Sequence, residues 1–177
     1  MKLFNFNISS QRSSTCSCDK YHPLGLSRDE ISKRIKESNG IKKGLELKSE
    51  TSQGQQLYQC PYCQQIWQSN RAWNWGNKEY LIKVPAIEIE DWKVEPYMQP
   101  DQMLIYSALM SEYFEKNILA DSEKLCSKES CIKPALTTSV LCKDHFIQNL
   151  QEFNLLPKRP SGRPFEPYHF ENSGLKM

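Results

Sequence analysis

A small α+β protein whose cores are tied together by metal is what the sequence predicts, and three observations predict it. Seven cysteines fall within 177 residues, an odd number that closed disulfides cannot exhaust, and most of them stand in close pairs suited to chelation. Short apolar segments switch between a period of two and a period near 3.6. Mean hydropathy is low, at -0.66, so the cores that such segments can build are small and gain from cross-links.

At the amino terminus, Met1 to Asn7 carries one lysine and an apolar part broken by asparagines, unlike a secretory signal. The longest apolar stretches, Leu81 to Val84 and Met103 to Met110, fall short of the ~20 residues of a membrane-spanning helix. A cytoplasmic protein is the expectation, and in that reducing compartment paired cysteines more often hold metal than bridge.

Ser27 and Glu30 have the spacing of a capping box, and Ile31 and Ile35 lie one turn apart, which predicts a short helix ending near Gly40. Leu45 and Leu47 alternate with Glu46 and Lys48, and beyond the Thr51-Ser52-Gln53-Gly54 turn Leu57 and Tyr58 lead to Cys60, the pattern of a hairpin. Ile66 and Trp67 continue that sheet. Tyr80 to Val84 reads as another strand, and Ile87 and Ile89, alternating with Glu88 and Glu90, as one more. Pro100 opens a helix to about Lys116 with Leu104, Ile105, Ala108, Leu109 and Tyr113 as its apolar stripe. Asp144 to Leu155 reads as a helix with Phe146, Leu150 and Phe153 on one face. From Pro157 onward four prolines, four basic residues and few aliphatics predict an irregular tail, loosely ordered or laid along the body through Phe165, Tyr168 and Phe170. The expected division is an α+β region over 1–98, a helical region with a metal knuckle over 99–156, and the tail over 157–177.

The ligand pattern is the most specific part of the sequence. Cys126-x4-Cys131-x10-Cys142-x2-His145 offers three thiolates and an imidazole within twenty residues. Cys16-x-Cys18 and Cys60-Pro61-Tyr62-Cys63 offer four thiolates across a gap of forty-one residues. Residues i and i+2 of extended chain point the same way, and a Cys-Pro-x-Cys turn brings both sulfurs round to one ion. These eight ligands fill two tetrahedral Zn2+ sites with no cysteine left over. A different pairing, Cys16 and Cys18 with His22, remains open; His22 and His169 otherwise read as surface or packing residues.

The first set resembles the two knuckles of a zinc ribbon, with Gln64 where ribbons often have glycine. Cys126-Ser127, Cys131, Pro134-Ala135 and Leu141-Cys142-x2-His145-Phe146 resemble a short zinc motif of bacterial and phage proteins, some of which handle nucleic acids. The resemblance covers about residues 125–148 and implies a treble-clef-like knuckle whose last ligand rides on a helix. Ser130 stands where that motif commonly has glycine, and Ser139 where a basic residue and glycine commonly precede the Leu-Cys.

A zinc ion closed by four protein ligands has no open position for water, and no phosphate-cradling glycine loop or nucleophile elbow appears, so no enzyme activity is expected. Residues 32–48 carry six basic and two acidic side chains, which admits a nucleic-acid-binding or regulatory module as the alternative. Seven thiolates and two dications, however, take the formal charge of +2 to about -1, poor for phosphate binding. Between Pro85 and Asp101 the acidic Glu88, Glu90, Asp91, Glu95 and Asp101 face a single lysine, Lys93. Trp92 and Tyr97 are of the types that anchor protein interfaces. Tyr58-x-Cys60-x2-Cys63-Gln64-x2-Trp67, then Val84-Pro85, the Trp92 segment and the Pro100-Asp101 helix, resemble small bacterial immunity proteins encoded beside secreted toxins. That resemblance implies a protein partner, a cognate toxin, met through Glu88, Glu90, Asp91, Trp92 and Tyr97.

Overall fold

In the computed structural model, residues 16–168 are described; Met1 to Asn7, His169 and Phe170 lie outside them. The chain begins with a short 3-10 turn, Cys18–Lys20, followed by α1 (Arg28–Lys42). The strands β1 (Glu46–Glu50), β2 (Gln56–Gln59), β3 (Ile66–Ala72) and β4 (Lys78–Val84) form an antiparallel meander in the order β1-β2-β3-β4. After it come α2 (Ile89–Val94), α3 (Pro100–Lys116), the hairpin of β5 (Asp121–Leu125) with β6 (Pro134–Leu136), and α4 (Lys143–Glu152). Among the described residues no helix is long and apolar enough to cross a membrane.

The N-cap half of the expected capping box forms: Ser27 is the N-cap of α1 and its Oγ accepts from the Glu30 amide at 3.2 Å, satisfying one of the orphan donors of the first turn. The helix runs through Gly40 to Lys42. Its role is to cover the exposed edge of the sheet. Leu81 sits opposite Ser69 on β3 while its outward N–H donates to Ser38 Oγ at 3.0 Å and its carbonyl accepts from Arg34 Nη1 at 3.0 Å. Arg34 also reaches the His22 carbonyl at 2.8 Å. Side chains of a helix thus take the place of a fifth strand, closing an edge that would otherwise template pairing with another chain.

Strand alternation sends neighbouring residues into different cores. Leu57, Tyr80, Ile82 and Val84 enter the main core with Ile31, Trp92, Met98 and Met103, whereas Tyr58, Trp67 and Leu81 enter a second core with Ile41, Cys18 and Cys60. A third cluster joins Tyr106 and Met110 of α3 to Ile147 of α4. Helix α3 therefore serves two cores, the main one at its start and the third at its end.

Several expectations are corrected here. Residues 89–94 are helical, not a strand, because Glu90 and Asp91 in the first turn suit the positive helix end and a helical turn buries Trp92 completely. The buried side of α3 is Met103, Tyr106 and Met110, with Leu109 44% exposed. More than one face offered apolar residues; Met103 turns into the main core, and Tyr106 and Met110 pack with Ile147 of α4. On α4 the buried residue is Ile147, and Phe153 is 68% exposed, since the helix ends at Glu152 and Asn154 turns left-handed at φ 57°. The tail is laid along the body. Arg163 exchanges backbone hydrogen bonds with Pro96 and Met98, Phe165 and Tyr168 are buried in the main core, and Tyr168 Oη donates to the Leu24 carbonyl at 2.5 Å.

Candidate metal centres

The sheet and helices gather the eight predicted ligands into two groups, Cys16, Cys18, Cys60 and Cys63, and Cys126, Cys131, Cys142 and His145; in each, the ligand atoms all lie within 4.8 Å of one another. His22 joins neither group. All seven cysteines are unbridged.

The first group is made where the 3-10 turn carrying Cys18 meets the link between β2 and β3. That link is a tight knuckle: the Gln64 amide donates to the Cys60 carbonyl at 3.0 Å and the Cys60 amide to the Gln65 carbonyl at 3.0 Å. Closing it puts Gln64 at φ 64°, which explains why glycine suits this position. Cys60 and Cys18 are buried and Cys63 is exposed, so the site lies between the second core and solvent. Burial raises the Cys60 thiol, but the amides of Cys63 and Tyr62 and the neighbouring sulfurs bring it down to about 7. Cys18 moves oppositely: burial, with the sulfurs of Cys63 and Cys60, lifts it to about 12 against the indole of Trp67. Crowded thiols cannot all ionise alone, and a cation among them removes that conflict.

The second group is built on the β5–β6 hairpin and the start of α4. The Cys126 amide donates to the Lys133 carbonyl at 3.0 Å and the Ser127 amide to the Val140 carbonyl at 2.9 Å, folding both arms of the loop together. Cys142 is the N-cap of α4 and His145 stands in its first turn, so the positive helix end faces the sulfurs. His145 Nδ1 is 3.3 Å from both Cys126 Sγ and Cys142 Sγ, and Cys131 Sγ is 3.8 Å from Cys142 Sγ. Although burial pulls the Cys126 thiol upward, the amides of Cys142 and Lys128, with His145 and Cys142, bring it down to about 6. The Lys133 amide pulls Cys131 down, but burial and the sulfurs of Cys142 and Cys126 leave it raised. Ser130, at φ 61°, is again a position that glycine suits.

The predicted partner residues divide. Glu88, Glu90 and Asp91 are exposed along α2. Trp92, wholly buried, donates from Nε1 to Gln68 Oε1 at 2.7 Å, and Tyr97, 4% exposed, exchanges two backbone hydrogen bonds with the same amide, at 2.8 and 2.9 Å. These two aromatic residues pin α2 to β3 from inside, and the surface beside the carboxylates is Ile89 and Val94, 38% and 87% exposed. Of the basic stretch, Arg34 is buried in the β4 edge and Lys42 is paired with Glu79 at 2.8 Å.

Sequence reasoning placed Trp67, the wholly buried aromatic beside the first group, in the sheet, but missed Gln68, whose amide holds Trp92 and Tyr97. Period-two patterning gave Trp67 its place, but a glutamine in a strand carries no sign of burial. Comparison with protein-family models, with curated proteins and with solved structures returned no match, so the functional reading rests on the residues themselves.

Proposed function

We propose that the chain binds two zinc ions as structural cross-links and that the body they brace is a non-catalytic protein-binding module, an immunity protein that neutralises a bacterial toxin. The observation that carries the metal half is the convergence of two complete four-ligand sets. Tetrahedral zinc with metal–sulfur bonds of about 2.3 Å and metal–nitrogen bonds of about 2.0 Å gives sulfur–sulfur edges of about 3.8 Å and sulfur–nitrogen edges of about 3.5 Å. The second group has 3.8 Å between Cys131 and Cys142 sulfurs and 3.3 Å from His145 Nδ1 to two sulfurs. Thiolate-rich sets favour zinc over hard cations. With all four positions taken by protein, neither ion would activate water, which supports a binding role over catalysis.

The contact surface in this reading is the outer face of α2, where Glu88, Glu90 and Asp91 flank Ile89 and Val94. Carboxylates there suit a toxin whose active cleft is basic, setting association rate and partner choice. Trp92 and Tyr97 act by holding the helix in place. Elemental analysis of protein purified without chelator should give two zinc ions per chain; one or none removes the metal half. Co-expression with a toxin encoded beside this gene tests the other half: protection should fall when Glu88, Glu90 and Asp91 are changed together to lysine, and no protection by the unaltered chain ends the immunity reading. Salt-dependent retention of DNA by Lys33, Lys36 and Lys43 would favour the nucleic-acid module instead.

A further inference from the structure

Trp67 is wholly buried, yet its Nε1 has no hydrogen-bond partner among the described residues, a condition that buried N–H groups rarely keep. The indole is held in place. The Tyr21 ring meets it edge-on at 5.9 Å, and the Arg34 guanidinium and the Lys83 ammonium lie 6.0 and 5.7 Å from its ring centroid. It shares the second core with Cys18 and Cys60 and helps Cys16, Cys18 and Cys60 to line a recess of about 90 Å³. Of the groups acting on the Cys18 thiol, the Trp67 side chain is the one whose hydrogen bonding favours the thiolate.

A neutral thiol is a weak acceptor, whereas a thiolate is a strong one. Four thiolates and one dication would leave two negative charges on the first group, and its inner sulfurs, Cys18 and Cys60, are buried, so they depend on protein donors for compensation. Cys60 has the amides of Cys63 and Tyr62 for this; for Cys18 the indole of Trp67 is the donor at hand. We infer that Trp67 is a positioning residue of the first metal centre, its indole N–H donating to the metal-bound Cys18 thiolate and so fixing that ligand and tightening the site. Hydrogen bonds from outside the ligand set typically change metal affinity by about 10–100-fold. The inference rests on the metal half of the proposed function and is independent of the immunity half.

The test replaces the N–H of Trp67 by sulfur in the full chain, through 3-benzothienylalanine at position 67, which keeps the fused-ring shape. Titration of the zinc-loaded chain with a competing chelator should show one ion held about tenfold more weakly than in the parent and the other unchanged. In the cobalt-substituted chain the sulfur-to-metal charge-transfer band should move to longer wavelength, because a thiolate that has lost a donor gives up charge more readily; a purely packing role would leave the band where it is. 5-Fluorotryptophan at position 67, a stronger N–H donor, should move the band to shorter wavelength, and this chain decides should the benzothienylalanine chain fail to fold. An unmoved band in the deciding chain, or both zinc affinities of the benzothienylalanine chain within about twofold of the parent's, overturns the inference while leaving the metal sites standing. A parent chain that shows no four-thiolate cobalt spectrum overturns the metal reading of the first group itself, and the inference with it.

Discussion

At the scale of single residues, backbone conformation makes the sharpest demand. Gln64 and Ser130 both occupy the left-handed region, at φ 64° and 61°, where a Cβ costs about 1 kcal/mol. Each sits within one of the two candidate metal knuckles. Gln64→Gly and Ser130→Gly should therefore hold or raise stability, by up to about 1 kcal/mol each, offset in part by the greater freedom of glycine in the unfolded chain. Denaturant midpoints of the zinc-loaded variants check this, and a loss of more than about 1 kcal/mol from either would show that the side chain itself contributes. Asp101 makes a different demand. It is wholly buried at the start of α3 and accepts from Tyr80 Oη at 2.5 Å, and burial lifts its carboxyl above the usual value despite the Tyr80 hydroxyl and the amides of Gln102 and Trp73. An acid whose folded pKa is raised binds its proton more tightly in the folded state, so its contribution is greatest at low pH and falls as pH rises from the unfolded value through the folded one. Asp101→Asn removes that term. The stability difference, variant minus parent, should grow in the variant's favour as pH rises above about 4 and then level off; a difference independent of pH would show that Asp101 does not titrate in this way.

At the scale of elements, the edge of β4 and the seating of α2 were settled by polar side chains that no pattern reveals. Ser38 is 2% exposed; its Oγ accepts from the Leu81 amide and donates to the Arg34 carbonyl at 2.7 Å. Ser38→Ala strands a buried amide and should destabilise the chain by about 1–3 kcal/mol, measured by chemical denaturation. Hydrogen exchange should then rise first at Leu81. Gln68 is the counterpart for α2, since one amide group satisfies both Trp92 and Tyr97. Gln68→Leu should loosen α2 and shift Trp92 fluorescence to the red. The helices α1, α3 and α4 were legible because capping residues and apolar spacing are local. Their buried faces were less so: α3 has apolar residues on more than one side, and which side turns inward depends on the main core at its start and on α4 at its end, both built from residues distant in sequence.

At the scale of the whole molecule, each candidate metal group joins a different part of the chain. The group of Cys16, Cys18, Cys60 and Cys63 adjoins the second core beneath the sheet, and that of Cys126, Cys131, Cys142 and His145 fastens the β5–β6 hairpin to α4. Cys131→Ser should lower zinc content from two ions to one and expose the α4 region to proteolysis while the sheet stays folded, because the first ligand set is untouched. Simultaneous loss of both ions would show that the two sites fold as one unit. The segment after α4 ties the ends together, with Phe165 and Tyr168 in the main core and Tyr168 bonded to Leu24.

Legible in the sequence alone were the eight clustered cysteine and histidine residues, their division into two sets, the segments that become the four strands of the sheet and three of the helices, because thiolate spacing, caps and periodicity are properties of short stretches of chain. Only the tertiary structure decided that the tail packs into the main core and that Trp92 and Tyr97 face inward. The reason is physical. Whether an aromatic or polar side chain is buried depends on which distant surface covers it, and contacts such as Trp92 with Gln68 or Tyr168 with Leu24 are formed by residues far apart along the chain, which no local pattern encodes.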